Sequence, residues 1–304
     1  FEVLYQCLND EIKIGSVYLR LLLEQGELTA NVDAATDAYN PPEFFTDLYH
    51  RFLLSQPINP KQAAMKSMCL QAMTIVYARH YETIGPFNDT KYIITMLDRT
   101  TDKYERDRLL MFISKLIANH RNVRDIIDCG GIKILIQLMC LAHLHINRAQ
   151  VPLASNVLES STTMSRENEK EWYYGKQDKE KLGPFSFQEL KEFHQEGLFD
   201  GKTKFWAQGL DGWKTMDRIA QLKWTLLGTG QAILNDSELA STILDILNAM
   251  CALFPSRDPV TGAIIRPFPK IKRALNDPTC LPHLVQLLLT FDPTLVEKLV
   301  KLLN

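Results

Sequence analysis

Tryptophan is missing from most of this 304-residue chain: Trp172, Trp206, Trp213 and Trp224 fall within one short window, and none lies in the long stretches on either side. Paired cysteines are missing too. Cys7, Cys69, Cys129, Cys140, Cys251 and Cys280 are scattered with no CxxC, which argues against a structural zinc site or a disulfide framework. Most of them lie in apolar helical runs, where a free thiol behaves as a small hydrophobe, so a reducing, cytosolic setting is expected. No charge of one sign dominates. The 34 basic and 36 acidic residues are interspersed, which argues against a nucleic-acid surface or a polybasic membrane patch as the main business. The apolar run 132–144 is broken by Lys133, Gln137 and His143 and falls short of the ~20 residues a bilayer requires. No transmembrane segment is expected. The chain opens at Phe1 without a signal-like stretch and ends inside an amphipathic run at 295–303, so it reads as a piece excised from something longer.

Catalytic patterns are equally scarce. Gly228-Thr229-Gly230 is too short for a phosphate loop and lacks the Gly-Lys-Ser/Thr ending. His143 and His145 stand two apart, so on a helix they diverge and cannot share a metal. Cys129 needs a nearby base to act as a nucleophile, and the sequence places none. His80 and His120 read as solvated helix ends, and Lys270, Lys272 and Arg273, with Arg266 upstream, as a solvated basic face. No catalytic residue, metal or cofactor is expected.

What is present is helical periodicity. Residues 1–145 read as successive amphipathic helices at 11–24, 42–55, 60–81, 90–97 and 132–143, with a longer break at 25–40. Leu109, Phe112, Ile113, Leu116 and Ile117 form an i, i+3, i+4, i+7, i+8 stripe that neighbours must cover. The phrase 122–139, NVRDIIDCGGIKILIQLM, predicts a short helix, a turn at Gly130-Gly131 and a long apolar helix. It resembles the armadillo-repeat signature, and an ordinary helical hairpin fits the same residues. At 146–169 aromatics vanish and Ser, Thr, Asn and Glu accumulate, as in a mobile linker. From 224 to 304 the helical pattern returns. Leu239, Ile243, Ile246, Leu247 and Met250 form one stripe behind a capping box at Asn235 and Glu238; further helices are expected at 281–289 and from Asp292-Pro293, with a loop at 254–269.

The window 170–223 is a different object. Glu171-Trp-Tyr-Tyr-Gly175 is an aromatic strand followed by a charged turn and Gly183-Pro184-Phe185. Ser186 and Glu189 cap a helix whose apolar face is Phe187, Leu190 and Phe193, ending at Gly197. A second strand at 203–206 and a turn at 209–212 lead to Trp213. About fifty residues make a small sheet on one helix, a size that needs large aromatic fillers. Trp206 and Trp213 are assigned to that core.

These residues resemble the GYF domains, readers of proline-rich peptides whose pattern runs W-x-Y, G-P-F, an apolar position, Trp and G-Y-F. Trp172-x-Tyr174 matches the opening and Gly183-Pro184-Phe185 the middle. Leu190 and Phe193 hold the apolar and Trp positions, and Gly197-Leu198-Phe199 stands at the closing triplet. The resemblance implies a peptide site formed by Trp172, Tyr174, Phe185, Phe193 and Leu198. Phe193 in place of Trp and Leu198 in place of Tyr remove ring wall from a surface that must grip flat proline rings. For Trp172, Tyr174 and Phe185 core filling is the competing assignment.

A GYF-like insert between helical repeats, followed by 264–273 (IIRPFPKIKR) and 280–293 (CLPHLVQLLLTFDP), resembles the large endosomal J-domain proteins of the DnaJ C subfamily, which act in receptor-mediated endocytosis. The expected fold is mostly α: armadillo-like helical repeats at 1–145 and 224–304 with a linker at 146–169 and a small α+β GYF-like domain at 170–223. The resemblance implies a cytosolic co-chaperone, peripheral on early endosomes, that works with a heat-shock ATPase, sorting nexins and coat components. No His-Pro-Asp tripeptide, the mark of a J domain, occurs here. The expectation is therefore a scaffold portion; a purely structural helical spacer is the alternative.

Overall fold

The computed structural model describes residues 40–54, 60–143, 147–148, 164–165, 170–175, 181–207, 210, 212–252, 261, 269–290 and 292–303. The helix expected at 11–24, the break at 25–39 and nearly all of the loop at 254–268 lie outside these residues. The described chain is helical apart from one four-stranded sheet and one two-residue ladder. It divides into two compact units. One holds the described residues to Thr100 together with Tyr104–Cys129, and the other holds Thr101–Lys103 and the described residues from Gly130 onward.

The first unit is built from α1 (Pro41–Leu54), α2 (Pro60–Ile84), α3 (Thr90–Arg99), most of α4 (Lys103–Leu116) and α5 (His120–Asp128). α1 and α2 both open on proline, whose missing N–H costs nothing in a first turn. The helix expected to stop at Tyr81 runs on to Ile84 through a kink at His80. On α4 the stripe of Leu109, Phe112, Ile113 and Leu116 is completely buried. With no tryptophan here, phenylalanine and tyrosine fill the interior. The Phe45 ring lies 5.6 Å from those of both Tyr77 and Phe87, and Phe87 meets Phe112 edge-on at 5.8 Å, the geometry that ring quadrupoles favour.

Asn122, fully buried on α5, ties this interior together. Its side-chain oxygen accepts from the Phe87 N–H at 2.8 Å, and its amide nitrogen donates to the Tyr77 hydroxyl at 2.7 Å and the Leu116 carbonyl at 2.9 Å. Tyr77 in turn donates to the Gly85 carbonyl at 2.9 Å. One side chain thus satisfies groups from α2, α4 and the α2–α3 connection, none of which has water as a substitute.

In the second unit Gly130 adopts φ 77°, a left-handed conformation that a side chain disfavours, and so opens α6 (Gly131–Met139). The helix expected over 132–143 ends as a 3₁₀ turn, Cys140–His143, a tightening that gives the last carbonyls partners. Inside the expected linker, β1 (Asn147–Arg148) pairs antiparallel with β2 (Met164–Ser165). Then come β3 (Trp172–Gly175), β4 (Lys181–Phe185), α7 (Phe187–Gln195), β5 (Lys204–Ala207) and β6 (Lys214–Thr215). A 3₁₀ turn (Met216–Arg218), α8 (Ala220–Leu222) and a π-helical turn (Lys223–Leu227) lead onward.

The helices that follow are α9 (Asp236–Ala252), α10 (Pro269–Leu275), α11 (Leu281–Gln286), which again tightens into a 3₁₀ turn (Leu287–Thr290), and α12 (Pro293–Leu303). The capping box before α9 forms in both directions: the Glu238 N–H donates to Asn235 Oδ1 and the Asn235 N–H to Glu238 Oε2, each at 2.9 Å. The stripe Leu239, Ile243, Ile246, Leu247 and Met250 is buried throughout. α12 lies along α9, with Leu295 and Leu299 buried, the Lys298 ammonium 2.6 Å from Asp245, and the Asn248 amide donating to the Lys298 carbonyl at 2.9 Å. No helix of the described residues is long and apolar enough to cross a membrane.

Replacing Asn122 by alanine leaves the Phe87 N–H buried without its acceptor. The expected loss is about 2–3 kcal/mol, measured as a shift of the urea midpoint by far-ultraviolet circular dichroism at unchanged slope.

Candidate peptide-binding site

The sheet has the order β4-β3-β5-β6, every pair antiparallel. Strand period decides which rings point where. On β3, Trp172 and Tyr174 face inward; their β5 partners, Ala207 and Phe205, share that face, and all four are buried. Tyr174 is central. Its ring lies 5.5 Å from Phe185 and Phe199 and 5.9 Å from Phe205, and Leu190 of α7, Met216 and Leu222 close the core with no exposed surface. Trp172 turns its ring to Phe187, 6.3 Å away.

Between β4 and β3 the register shifts, and Gly183 sits at φ 136°. A Cβ there would stand 2.7 Å from the Trp172 carbonyl oxygen and 2.8 Å from the Tyr173 ring. The glycine of the G-P-F triplet is therefore required by the close approach of two strands. α7 starts with a complete capping box: Ser186 Oγ accepts from the Glu189 N–H at 3.2 Å, and Glu189 Oε2 accepts from the Ser186 N–H at 2.6 Å. That backbone bond, followed by the Lys170 ammonium 3.0 Å from the other carboxylate oxygen, holds the Glu189 carboxyl below the ordinary glutamate range.

Of the five residues assigned to a peptide site, Trp172 is 3% and Tyr174 8% exposed, as core residues are. Phe185 and Phe193 are half-buried and meet edge-on at 5.1 Å. Leu198 is 57% exposed, and its N–H donates to the Phe193 carbonyl at 3.0 Å. The fold thus brings Phe185 and Phe193 together, backed by the Tyr174 ring stacked on Phe185 at 28°, and ties exposed Leu198 to Phe193 through the backbone. Ring faces and a branched aliphatic offer contact area for a peptide and nothing that moves a proton.

One assignment is corrected. Trp206 and Trp213 are outside the buried core cluster and only half-buried, because Phe205 and Ala207 take the inward positions of β5. Trp206 lies on the other sheet face, 5.6 Å from Tyr173, its partner in register. Trp213 lies over Gly175 with the Lys181 ammonium 5.8 Å from its ring. Sequence reasoning missed this second aromatic face, although the alternation in Trp172-Tyr173-Tyr174 carries the signal.

Residues 172–222 match the family described as GYF domain 2. Over 98% of its length the chain is 32% identical to the DnaJ homolog subfamily C GRV2 of Arabidopsis thaliana. Along nearly its whole length the chain is thus similar to part of a DnaJ subfamily C protein, and residues 172–222 form a GYF-type module inside it. It spans 12% of that relative's length. No solved structure matches it. The GYF-type module begins at the tryptophan of β3 and runs through α8, the stretch whose core is closed by Trp172, Tyr174 and Leu222.

Because the folded pKa of Glu189 is depressed, its contribution to stability is complete above the ordinary glutamate pKa and disappears as pH falls through that value to the folded one. Thermal unfolding of the GYF-type module is expected to lose stability over that acid window. Glu189→Gln is expected to flatten the fall, and Ser186→Ala to cost about 1 kcal/mol at neutral pH.

Proposed function

We propose that this chain is a non-catalytic scaffold segment of an endosomal DnaJ-type co-chaperone, and that its GYF-type module takes proline-rich segments on the rim made by Phe185, Phe193 and Leu198, with Tyr174 behind it and Trp172 serving the core. The observation that carries this reading is Leu198. It is 57% exposed and tied through its N–H to the carbonyl of Phe193, whose half-buried ring meets that of Phe185 edge-on, so the three together supply apolar area for a peptide. The rim has less ring area than the family pattern provides, so micromolar or weaker affinity is the expected range.

In this reading the helices of 1–145 and 224–304 are armadillo-like supports, with 146–169 as the connection to the module at 170–223. Such repeats present binding surfaces rather than chemistry. The whole protein, through a J domain elsewhere in its length, would engage a heat-shock ATPase while this segment holds sorting nexins or other coat components on early endosomes. The similarity to a DnaJ homolog along 98% of this chain supports the co-chaperone context. A purely structural spacer is the second reading, favoured by the burial of Trp172 and Tyr174, two of the five assigned rim residues.

Anisotropy titrations of a labelled proline-rich peptide separate the two. The scaffold reading predicts saturable binding by the wild-type chain, a loss of about tenfold or more in Leu198→Asp, and a comparable loss in Phe193→Ala. Absence of saturable binding to a panel of such peptides supports the spacer.

A further inference from the structure

Of the eight large apolar side chains exposed among the described residues, five, Leu281, Val285, Leu288, Val300 and Leu303, lie in 281–303. Exposed aliphatics so concentrated mark surface that another element covers. α12 carries the part of this region whose charges define a partner. Its inner face packs on α9 through buried Leu295 and Leu299, and Lys298 beside them is held by the Ser241 hydroxyl at 2.7 Å and the Asp245 carboxylate at 2.6 Å. Helical spacing sets Val296, Val300 and Leu303, at i, i+4 and i+7, on a second face. Val300 is 45% and Leu303 47% exposed, and Val296 is half-buried. Glu297 and Lys301, one turn apart and both exposed, flank this stripe.

We infer that this face of α12 pairs with the same face of a second copy of the chain, the two helices running antiparallel about a two-fold axis beside Val300. A two-fold contact sets a surface against itself, so a face of one charge sign repels its own copy. The order of residues on α12 avoids this. With the axis between Leu299 and Val300, Val296 of one copy comes level with Leu303 of the other, and Val300 stands beside Val300. Glu297 of each copy then lies within about 1.5 Å, one residue's rise along the helix, of Lys301 of the other. The stripe is therefore self-complementary in apolar contact and in charge. A partner of one sign would satisfy Glu297 or Lys301 but not both, and parallel pairing would set each against its like. A single pair of eleven-residue helices gives an interface below the roughly 1,200 Å² of stable complexes, so the expected dissociation constant is about micromolar or weaker.

Sedimentation equilibrium of the full 304-residue chain, from about 1 to about 300 μM, brackets such an affinity. The mass is expected to rise reversibly with concentration from the 34.8 kDa of one chain toward twice that value. Val300→Asp, at an exposed position outside the α9 contact, should stay monomeric with an unchanged far-ultraviolet circular dichroism spectrum. Glu297→Lys and Lys301→Glu each bring like charges together twice by symmetry, and each should weaken association about three- to tenfold. The double exchange Glu297→Lys/Lys301→Glu reverses both signs and should restore association to within about twofold of wild type. A wild-type chain that stays monomeric across the range overturns the inference. So does wild-type association by Val300→Asp, or a double exchange that associates no better than the single variants.

Discussion

The packing of Phe185 and Phe199 against Tyr174 is the contact on which the GYF-type module depends. A unit of about fifty residues has too little interior for aliphatic layers, so each ring it buries supplies a large share of its apolar contact. Tyr174 reaches β4 through Phe185, β5 through Phe205, and the segment after α7 through Phe199. Burying it at the sheet centre fixes strand register, places α7 across the sheet, and leaves the outer edge of the Phe185–Phe193 pair at the surface. The same ring that closes the core backs the rim.

This constraint explains the division of labour among the aromatics. Positions in phase with Tyr174 go to the interior, and those out of phase, Tyr173 and Trp206, go to the opposite face. The inward phase ends at Trp172, whose ring packs on Phe187 and is 3% exposed. The helical regions follow a simpler rule. Their apolar stripes are buried, their ends are closed by side chains such as Asn235 with Glu238, and three of the described thiols are desolvated: burial pushes Cys69 up to about 12 and raises Cys251 and Cys280. A thiol so disposed is a poor nucleophile at neutral pH.

Much of this was legible in the sequence because it rests on local rules. Periodicity located α4 and α9, the Ser186–Glu189 spacing located α7, and the G-P-F and W-x-Y spacings located the module. What stayed hidden depends on contacts distant along the chain. Asn122 gives no local sign that it will accept from Phe87 and donate to Tyr77. The burial of Trp172 and Tyr174 is a matter of strand phase against β5, which the count of tryptophans did not encode; that count drew attention to Trp206 and Trp213 as core, whereas strand phase sends Trp206 to the other face and both remain half-buried.

The central claim, that the module's core consumes most of its rings and leaves a small rim for peptide, is tested most directly by amide and indole chemical-shift mapping with a proline-rich peptide. The account predicts that the largest perturbations cluster at Phe185, Phe193 and Leu198, with the Trp172 indole N–H little moved. A dominant shift of the Trp172 indole, or of Tyr173 and Trp206 on the opposite sheet face, would contradict it.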